Sequence, residues 1–304
     1  MQNTKESETL TVHSDGLEIA VEMIGSGPTI LFGHGLSGNR KNTLEQFKPL
    51  YETHRIVAFD QRGHAESSPV TNAALFEPRR MSQDMGAVLD ALDTRHAIIG
   101  GESMGAALAM LFASENPDRV DRLLLSAPAF GHEPNSERAR MHGMADAIEA
   151  HGIDAFLKIA SVRQREEWGA SKIVIEKLAA MQRSHDPSSL ALACRIVIDW
   201  KITPDLQRFA SFDRPTCVVG WPDDALTPKK WRDSMPKFYP WHALSGYRRC
   251  SKSSSDPNRR VKSFAPSSTK KFRTLAEPML ACRASWLNGW MGGWVDGWKE
   301  AIPR

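Results

Sequence analysis

The chain has 304 residues, of which 41% are hydrophobic and 25% are charged, a composition typical of a soluble globular protein. No run of eighteen apolar residues occurs and the polar start lacks the apolar core of a secretory signal, so we expect a cytoplasmic protein without stable membrane insertion. The net charge of +3 combines a basic segment, 242–304, which holds 12 Lys/Arg and 4 Asp/Glu, with an acidic remainder that holds 27 and 32. The basic segment lacks the aromatic and basic pattern of nucleic-acid-binding modules, so we expect no nucleic-acid partner.

The predicted elements begin with a β-hairpin and continue as strands that alternate with helices. Two alternating stretches, 9–14 and 17–23, flank the turn residues Asp15 and Gly16. Short apolar runs typical of buried parallel strands follow at 29–33, 55–60, 96–101, 122–127 and 216–221. Helical periods lie between these runs; one of them places Met85, Val88, Leu89 and Leu92 on one face. This order predicts a mostly parallel sheet with helices on both faces.

The strand rhythm stops between Ala127 and Pro215, where the chain is predicted to be helical. The helical stretches lie around 144–160, 171–181 and 190–200. Because ligands of open α/β sheets bind at the carboxyl edge, an all-helical insertion at this point predicts a lid over that edge. We therefore expect a core formed by residues 1–130 and 210–304 and a helical lid formed by residues 131–209.

The sequence Gly-Glu-Ser-Met-Gly at 101–105 follows a predicted strand and leads directly into a predicted helix. This strand–turn–helix context is the one that a G-x-S-x-G nucleophile turn requires. Side chains at Gly101 and Gly105 would collide with the neighbouring strand and helix, and the serine between them is expected to have a strained backbone. The helix that follows directs its first N–H groups at Ser103, where negative charge would develop.

Three further segments strengthen a resemblance to the α/β-hydrolase fold superfamily. FGHGLSGN at 32–39 lies where that family has its oxyanion loop, and FDQRGHAES at 59–67 resembles its D-x-R-G-x-G-x-S turn with Ala65 in place of the second glycine. GWPDDALTP at 220–228 follows the strand after the helical insertion, where the family has its acid. The resemblance covers residues 8 to about 240 and is closest to lidded esterases and lactonases. It implies a mostly parallel eight-stranded sheet with a helical lid inserted after the sixth strand.

The resemblance also implies roles for individual residues. Ser103 would be the nucleophile, and the backbone N–H groups of Leu36 and Met104 would bind the oxyanion. His34 and His64 resemble histidines that support the site in the family, so neither is expected to be the base. No metal or organic cofactor is implied.

The acid and the base of the triad are less directly indicated. When Leu-Thr-Pro at 226–228 is aligned with the D-x-L-T-P pattern of the family, Asp224 takes the position of the acid, and Asp223 is the alternative. After Asp224 the chain has one histidine, His242, eighteen residues further on, in the segment 240–246 that is predicted to be the eighth strand. Three hypotheses stay open: His242 is the base, the protein has lost its base, or the sequence departs from its natural frame near residue 240.

The composition of the tail favours the third of these hypotheses. Residues 252–272 are dense in Ser, Arg and Lys without a helical apolar period, and four tryptophans at 286, 290, 294 and 298 are interspersed with glycines. A tail that binds a membrane surface or a partner is the functional alternative. The frame hypothesis predicts that this tail is poorly packed.

The nature of the nucleophile narrows the reaction. Relatives that open epoxides or remove halides carry an aspartate at the position of Ser103, so the serine favours hydrolysis of a small carboxylic ester or lactone. The alternative is a catalytically silent protein of the same fold that binds a ligand or partner. The hydrolase requires a histidine within reach of Ser103 and Asp224, whereas the silent binding protein lacks one.

Overall fold

The structure, a computed structural model, describes residues 6–128, 138–168, 171–202, 212–220 and 241–243. Its strands are β1 (Glu8–Ser14), β2 (Leu17–Ile24), β3 (Thr29–Gly33), β4 (Arg55–Phe59), β5 (Ala97–Glu102), β6 (Val120–Ser126), β7 (Thr216–Gly220) and β8 (Trp241–Ala243). They form one sheet in the order β1-β2-β4-β3-β5-β6-β7-β8. The β1–β2 and β2–β4 pairs are antiparallel and the other pairs are parallel. The predicted eight-stranded, mostly parallel sheet is confirmed.

Helices cover both faces of this sheet because its central strands are apolar on both sides. The helices of the core are α1 (Arg40–Phe47), α2 (Pro78–Ala91) and α3 (Met104–Glu115). All five residues of β3 are buried; Leu31 belongs to the cluster under α2 and α3, and Ile30 and Phe32 belong to the cluster under α1. On α2 the predicted face is confirmed, since its members Met85, Val88 and Leu89 are buried and Leu92 packs beside them.

Three further helices separate β6 from β7 in the sequence, and we call them together the helical insertion. They are α4 (Arg138–Trp168), α5 (Lys172–Arg183) and α6 (Pro187–Val197). The predicted helices are present, with one correction: α4 is broken at Gly152, whose φ of 77° and ψ of 168° are not helical. A glycine adopts this conformation without the steric penalty that a Cβ brings, so the break occurs there. That the insertion acts as a lid stays a prediction.

The insertion is fixed to the core mainly through α6. The buried hydroxyl of Ser189 donates to the Gly63 carbonyl oxygen at 2.9 Å and accepts from the Val70 N–H at 2.9 Å. Just beyond α6, the indole of Trp200 donates to the Phe76 carbonyl oxygen at 2.9 Å. Helix α4 in turn packs on α6, so the insertion rests on the loops at one end of the sheet.

Within the described ranges, no helix combines the length and apolarity that a membrane span needs.

Candidate active site

The centre of the candidate site is the turn 101–105 between β5 and α3, which we call the elbow. Ser103 has φ 50° and ψ −110°, a region that residues with a Cβ rarely occupy. Its N–H donates to the Ser126 carbonyl oxygen on β6 at 2.8 Å, which fixes the strained backbone. Ser103 occupies the N-cap position of α3, yet its side chain makes no capping hydrogen bond. The hydroxyl is thus not used to begin the helix, and the first N–H groups of α3 lie beside it.

The two glycines of the elbow are required by close contact, as predicted. A Cβ on Gly101 would overlap the backbone of Gly105. A Cβ on Gly105 would lie 2.7 Å from the His34 carbonyl oxygen and closer still to Gly33. The elbow, α3 and the end of β3 therefore touch through backbone atoms, which brings the loop after β3 next to the serine.

Residues 34–39, which we call the oxyanion loop, run alongside the elbow. A Cβ built on Gly35 would lie 3.4 Å from the Ser103 Cβ, so this loop borders the serine directly. A tight turn closes the loop, since the Gly38 N–H donates to the Gly35 carbonyl oxygen at 2.9 Å and Ser37 has a φ of 63°. The Leu36 side chain packs against α4 and α6 of the helical insertion. Of the two predicted oxyanion residues, Met104 begins α3 directly after Ser103, and Leu36 follows Gly35 in the loop that borders the serine.

His34 supports the oxyanion loop from below. Its Nε2 accepts from the Gln61 N–H at 3.0 Å, so the proton lies on Nδ1, which donates to the Gly35 carbonyl oxygen at 2.8 Å. Gln61 also donates through its side-chain amide to the His34 carbonyl oxygen. The ring is buried, and this burial lowers the pKa of His34 to about 4. With both nitrogens bonded to backbone, His34 is a support and has no free nitrogen with which to act as a base.

Two more buried histidines extend a cluster from His34, with ring planes tilted by 59° between His34 and His64 and by 86° between His64 and His185. The ring centroid of His64 lies 5.2 Å from that of His34 and 5.2 Å from that of His185, which belongs to the connection between α5 and α6. His64 bonds through Nδ1 to the Arg62 carbonyl oxygen, and burial lowers its pKa well below the ordinary value. His185 bonds to the backbone at both nitrogens, and burial lowers its pKa also. No local motif surrounds His185, so the sequence carries no signal for its role.

The D-x-R-G turn after β4 holds this histidine cluster through two buried charge networks. Asp60, fully buried, accepts the Arg40 N–H at 2.7 Å and pairs with the Arg40 guanidinium. Arg62, also fully buried, makes a two-point contact with Asp84 at 2.8 and 2.6 Å. Ala65, which replaces the glycine of the family pattern, has a φ of 45°, a conformation that favours glycine. The turn is rigid because its charges are paired and its backbone is tightly specified.

The remaining predicted triad residues lie at or beyond the limits of the described chain. Asp223 and Asp224 lie outside the described residues, as does the tail from residue 244. His242 lies in β8, where its backbone pairs with Val219; Val219 pairs with Ser126, and Ser126 with Glu102. The backbone of His242 is therefore in register with that of Glu102, the residue before Ser103. Three strand spacings separate the two backbones, a distance of about 14 Å.

The part of the chain that the structure describes contains no group of three His, Cys, Asp or Glu side chains arranged to hold a metal ion. The three clustered histidines do not form such a group because the nitrogens of His34 and His185 are bonded to backbone atoms. The elbow offers a serine hydroxyl beside the first N–H groups of α3.

Comparisons with known proteins support the fold. A family model described as the alpha/beta hydrolase fold matches residues 28–153. An epoxide hydrolase from Caballeronia sordidicola is 31% identical over 139 residues, 44% of this chain and 42% of the relative, so the chain spans less than half of that protein. The 3-oxoadipate enol-lactonase 2 of Acinetobacter baylyi is 23% identical over 226 residues, 72% of this chain and 80% of the relative. The solved structure of a thermophilic esterase from Thermogutta terrifontis, malate bound, has a TM-score of 0.62 at 23% identity, covering 77% of this chain and 87% of that chain.

Proposed function

We propose that this chain, a member of the α/β-hydrolase fold superfamily, is a serine hydrolase. It would cleave a small carboxylic ester or lactone through an acyl-enzyme on Ser103. The observation that carries the proposal is the backbone of Ser103, with φ 50° and ψ −110° between β5 and α3 and no capping hydrogen bond from its side chain. Strained residues of this kind cluster at active sites, where the surrounding structure holds them in place.

The proposed reaction has two steps. In the first, the Ser103 oxygen attacks the substrate carbonyl carbon, its proton passes to a base, and the alcohol leaves with that proton as the C–O bond breaks. In the second, water gives a proton to the same base and attacks the acyl carbon, and the base returns that proton to the Ser103 oxygen as its bond to the acyl group breaks and the acid is released. The N–H groups of Leu36 and Met104 would bind the oxyanion in both steps, each contributing about 3 kcal/mol to the transition state.

Asp224 and His242 complete the proposed triad. Asp224 would orient the imidazole and stabilise its protonated form, and Asp223 is the alternative acid. His242 is the candidate base because the sequence contains no other histidine after Asp224.

The substrate class is supported by the nucleophile and by the relatives. The matched relatives include an enol-lactonase and an epoxide hydrolase, and the similar solved structures include an esterase. Epoxide hydrolases of this fold carry an aspartate where this chain has Ser103, so the serine favours acyl transfer. The helical insertion, which contacts the oxyanion loop through Leu36, would cover the substrate as a lid.

A second candidate function is binding without catalysis on the same scaffold. The observation that favours it is the position of His242, whose backbone lies about 14 Å from the row position of Glu102 across three parallel strands. Without a base, Ser103 would keep its proton and the site could hold a ligand but not cleave it.

Hydrolysis of p-nitrophenyl esters of increasing acyl length tests these proposals. We expect turnover in the wild type and its loss in Ser103→Ala. The matched control is Ser114→Ala, on the same helix, where the hydroxyl donates to the Leu111 carbonyl oxygen at 2.8 Å, away from the elbow. Absence of turnover in the wild type, with the same esters bound, would contradict the hydrolase proposal and support the binding function.

A further inference from the structure

The connection between α5 and α6 delivers one side chain into the core beneath the candidate site. His185 follows the last turn of α5 and is 4% exposed, although its neighbour Ser184 lies at the surface. Its ring reaches two separate loops of the core, at Ser37 and at Ala65, that are 148 and 120 residues away in the sequence. A buried polar ring that bridges three segments fixes their relative position.

The hydrogen bonds of this ring specify its protonation. Nδ1 accepts from the Ala65 N–H at 2.9 Å, because a backbone N–H can only donate. The ring proton must then lie on Nε2, which donates to the Ser37 carbonyl oxygen at 3.0 Å. A doubly protonated ring would place a proton against the Ala65 N–H, so the arrangement requires neutral His185.

The bond to Ser37 begins a chain of two peptide groups that ends at the oxyanion position. The Ser37 carbonyl and the Gly38 N–H belong to one planar peptide, and that N–H donates to the Gly35 carbonyl oxygen at 2.9 Å. The Gly35 carbonyl and the Leu36 N–H belong to the next planar group in the chain of bonds. Because each peptide is planar and trans, fixing its carbonyl also fixes the direction of its N–H, and each bond polarises the next.

We propose that His185 is a positioning residue that, together with the His34 Nδ1–H bonded to the same Gly35 carbonyl oxygen, sets the direction of the Leu36 N–H through the Ser37–Gly38 and Gly35–Leu36 peptides. The helical insertion thereby controls the oxyanion loop, and it does so at two points, since the Leu36 side chain also packs on α4 and α6. This inference rests on the proposed function for its catalytic consequence, but the ordering of the loop does not depend on catalysis.

Two substitutions separate the two hydrogen bonds of the ring. His185→Gln places an amide at the position of Nε2 and keeps the donor to Ser37, whereas His185→Asn places an amide at the position of Nδ1 and keeps the acceptor for Ala65. We expect the Asn variant to lose roughly ten- to hundredfold in kcat with KM changed less than threefold, because misaimed donors weaken transition-state binding. The Gln variant should retain most of kcat. The matched control is His96→Gln, at an exposed histidine whose Nδ1 bonds to Asp121 at 2.8 Å.

Hydrogen–deuterium exchange provides a readout that needs no activity. In the Asn variant we expect faster exchange in peptides that cover residues 34–39, with wild-type exchange in the peptides of β5 and α3; the Gln variant should resemble the wild type. Equal losses of kcat in both variants, a change confined to KM, or unchanged exchange in the loop would overturn the inference. If the wild type has no esterase activity, the proposed hydrolase function is wrong, and the exchange contrast alone decides the role of His185.

Discussion

Acidification should destabilise the protein between pH 7.5 and pH 5 through its buried histidines, and His34 gives a magnitude. Burial lowers the pKa of His34 to about 4 from its ordinary 6.5, so the unfolded chain binds the proton first as the pH falls. The stability associated with the neutral ring is therefore fully present above pH 6.5 and is lost as the pH falls toward 4. The complete loss corresponds to about 3 kcal/mol, of which about 2 kcal/mol is lost by pH 5.

Urea unfolding at pH 7.5 and pH 5.0 measures this loss, and His34→Gln isolates it. The glutamine does not titrate, and its side-chain oxygen can replace Nε2 as the acceptor for Gln61. We expect the difference in unfolding free energy between the two pH values to be about 2 kcal/mol smaller in the variant than in the wild type. The control is Glu66→Gln. Hydrogen bonds from Lys41 and Arg40 lower the pKa of Glu66 to about 2, so the stability contributed by its ionised carboxylate is lost only below pH 5, outside the range compared. An unchanged difference in His34→Gln would refute the reasoning.

Two further predictions concern the core and the insertion. Arg62→Met leaves the buried Asp84 carboxylate without its two-point partner, so we expect the unfolding free energy in urea to fall by about 3–5 kcal/mol. Arg80→Met, at an exposed pair with Asp15, should leave the unfolding free energy nearly unchanged. Gly152→Ala introduces a Cβ where φ is 77° but nothing lies within 4 Å, so thermal unfolding should show a loss of about 1–2 kcal/mol from strain alone. Gly143→Ala, in the same helix and equally open, should instead stabilise by up to about 1 kcal/mol, and a loss there or a gain at Gly152 would contradict the argument.

The sheet could be predicted from the sequence because its strands carry local signals. A strand buried on both faces is a short continuous apolar run, and the predicted runs at 29–33 and 55–60 match β3 and β4 within a residue. The elbow could also be predicted from the sequence, because the conformation of a serine between two glycines follows from the strand before it and the helix after it. Five residues and their neighbours sufficed to predict the strain at Ser103.

The supports of the site could be predicted only where a motif enclosed them. His34 and His64 belong to the oxyanion loop and the D-x-R-G turn, so their supporting positions followed from the pattern. His185 lies in a helical connection with no motif, and its partners are contributed by loops more than a hundred residues earlier. The break at Gly152 was also missed, because a single glycine in a helical period is compatible with a continuous helix. Contacts of this kind are set by tertiary packing and leave no local pattern.

The candidate base can be tested by the coupling of two substitutions. Residues of a triad act as one unit, so removing the nucleophile or the base alone lowers kcat about as much as removing both. If His242 accepts the proton of Ser103, then Ser103→Ala, His242→Ala and the double variant should show nearly the same residual rate toward a p-nitrophenyl ester. This test is decisive because three strand spacings separate the backbone of His242 from the row of Glu102. Additive losses, or wild-type turnover in His242→Ala, would exclude His242 from the triad, and turnover dependent on Ser103 alone would then require a different proton acceptor.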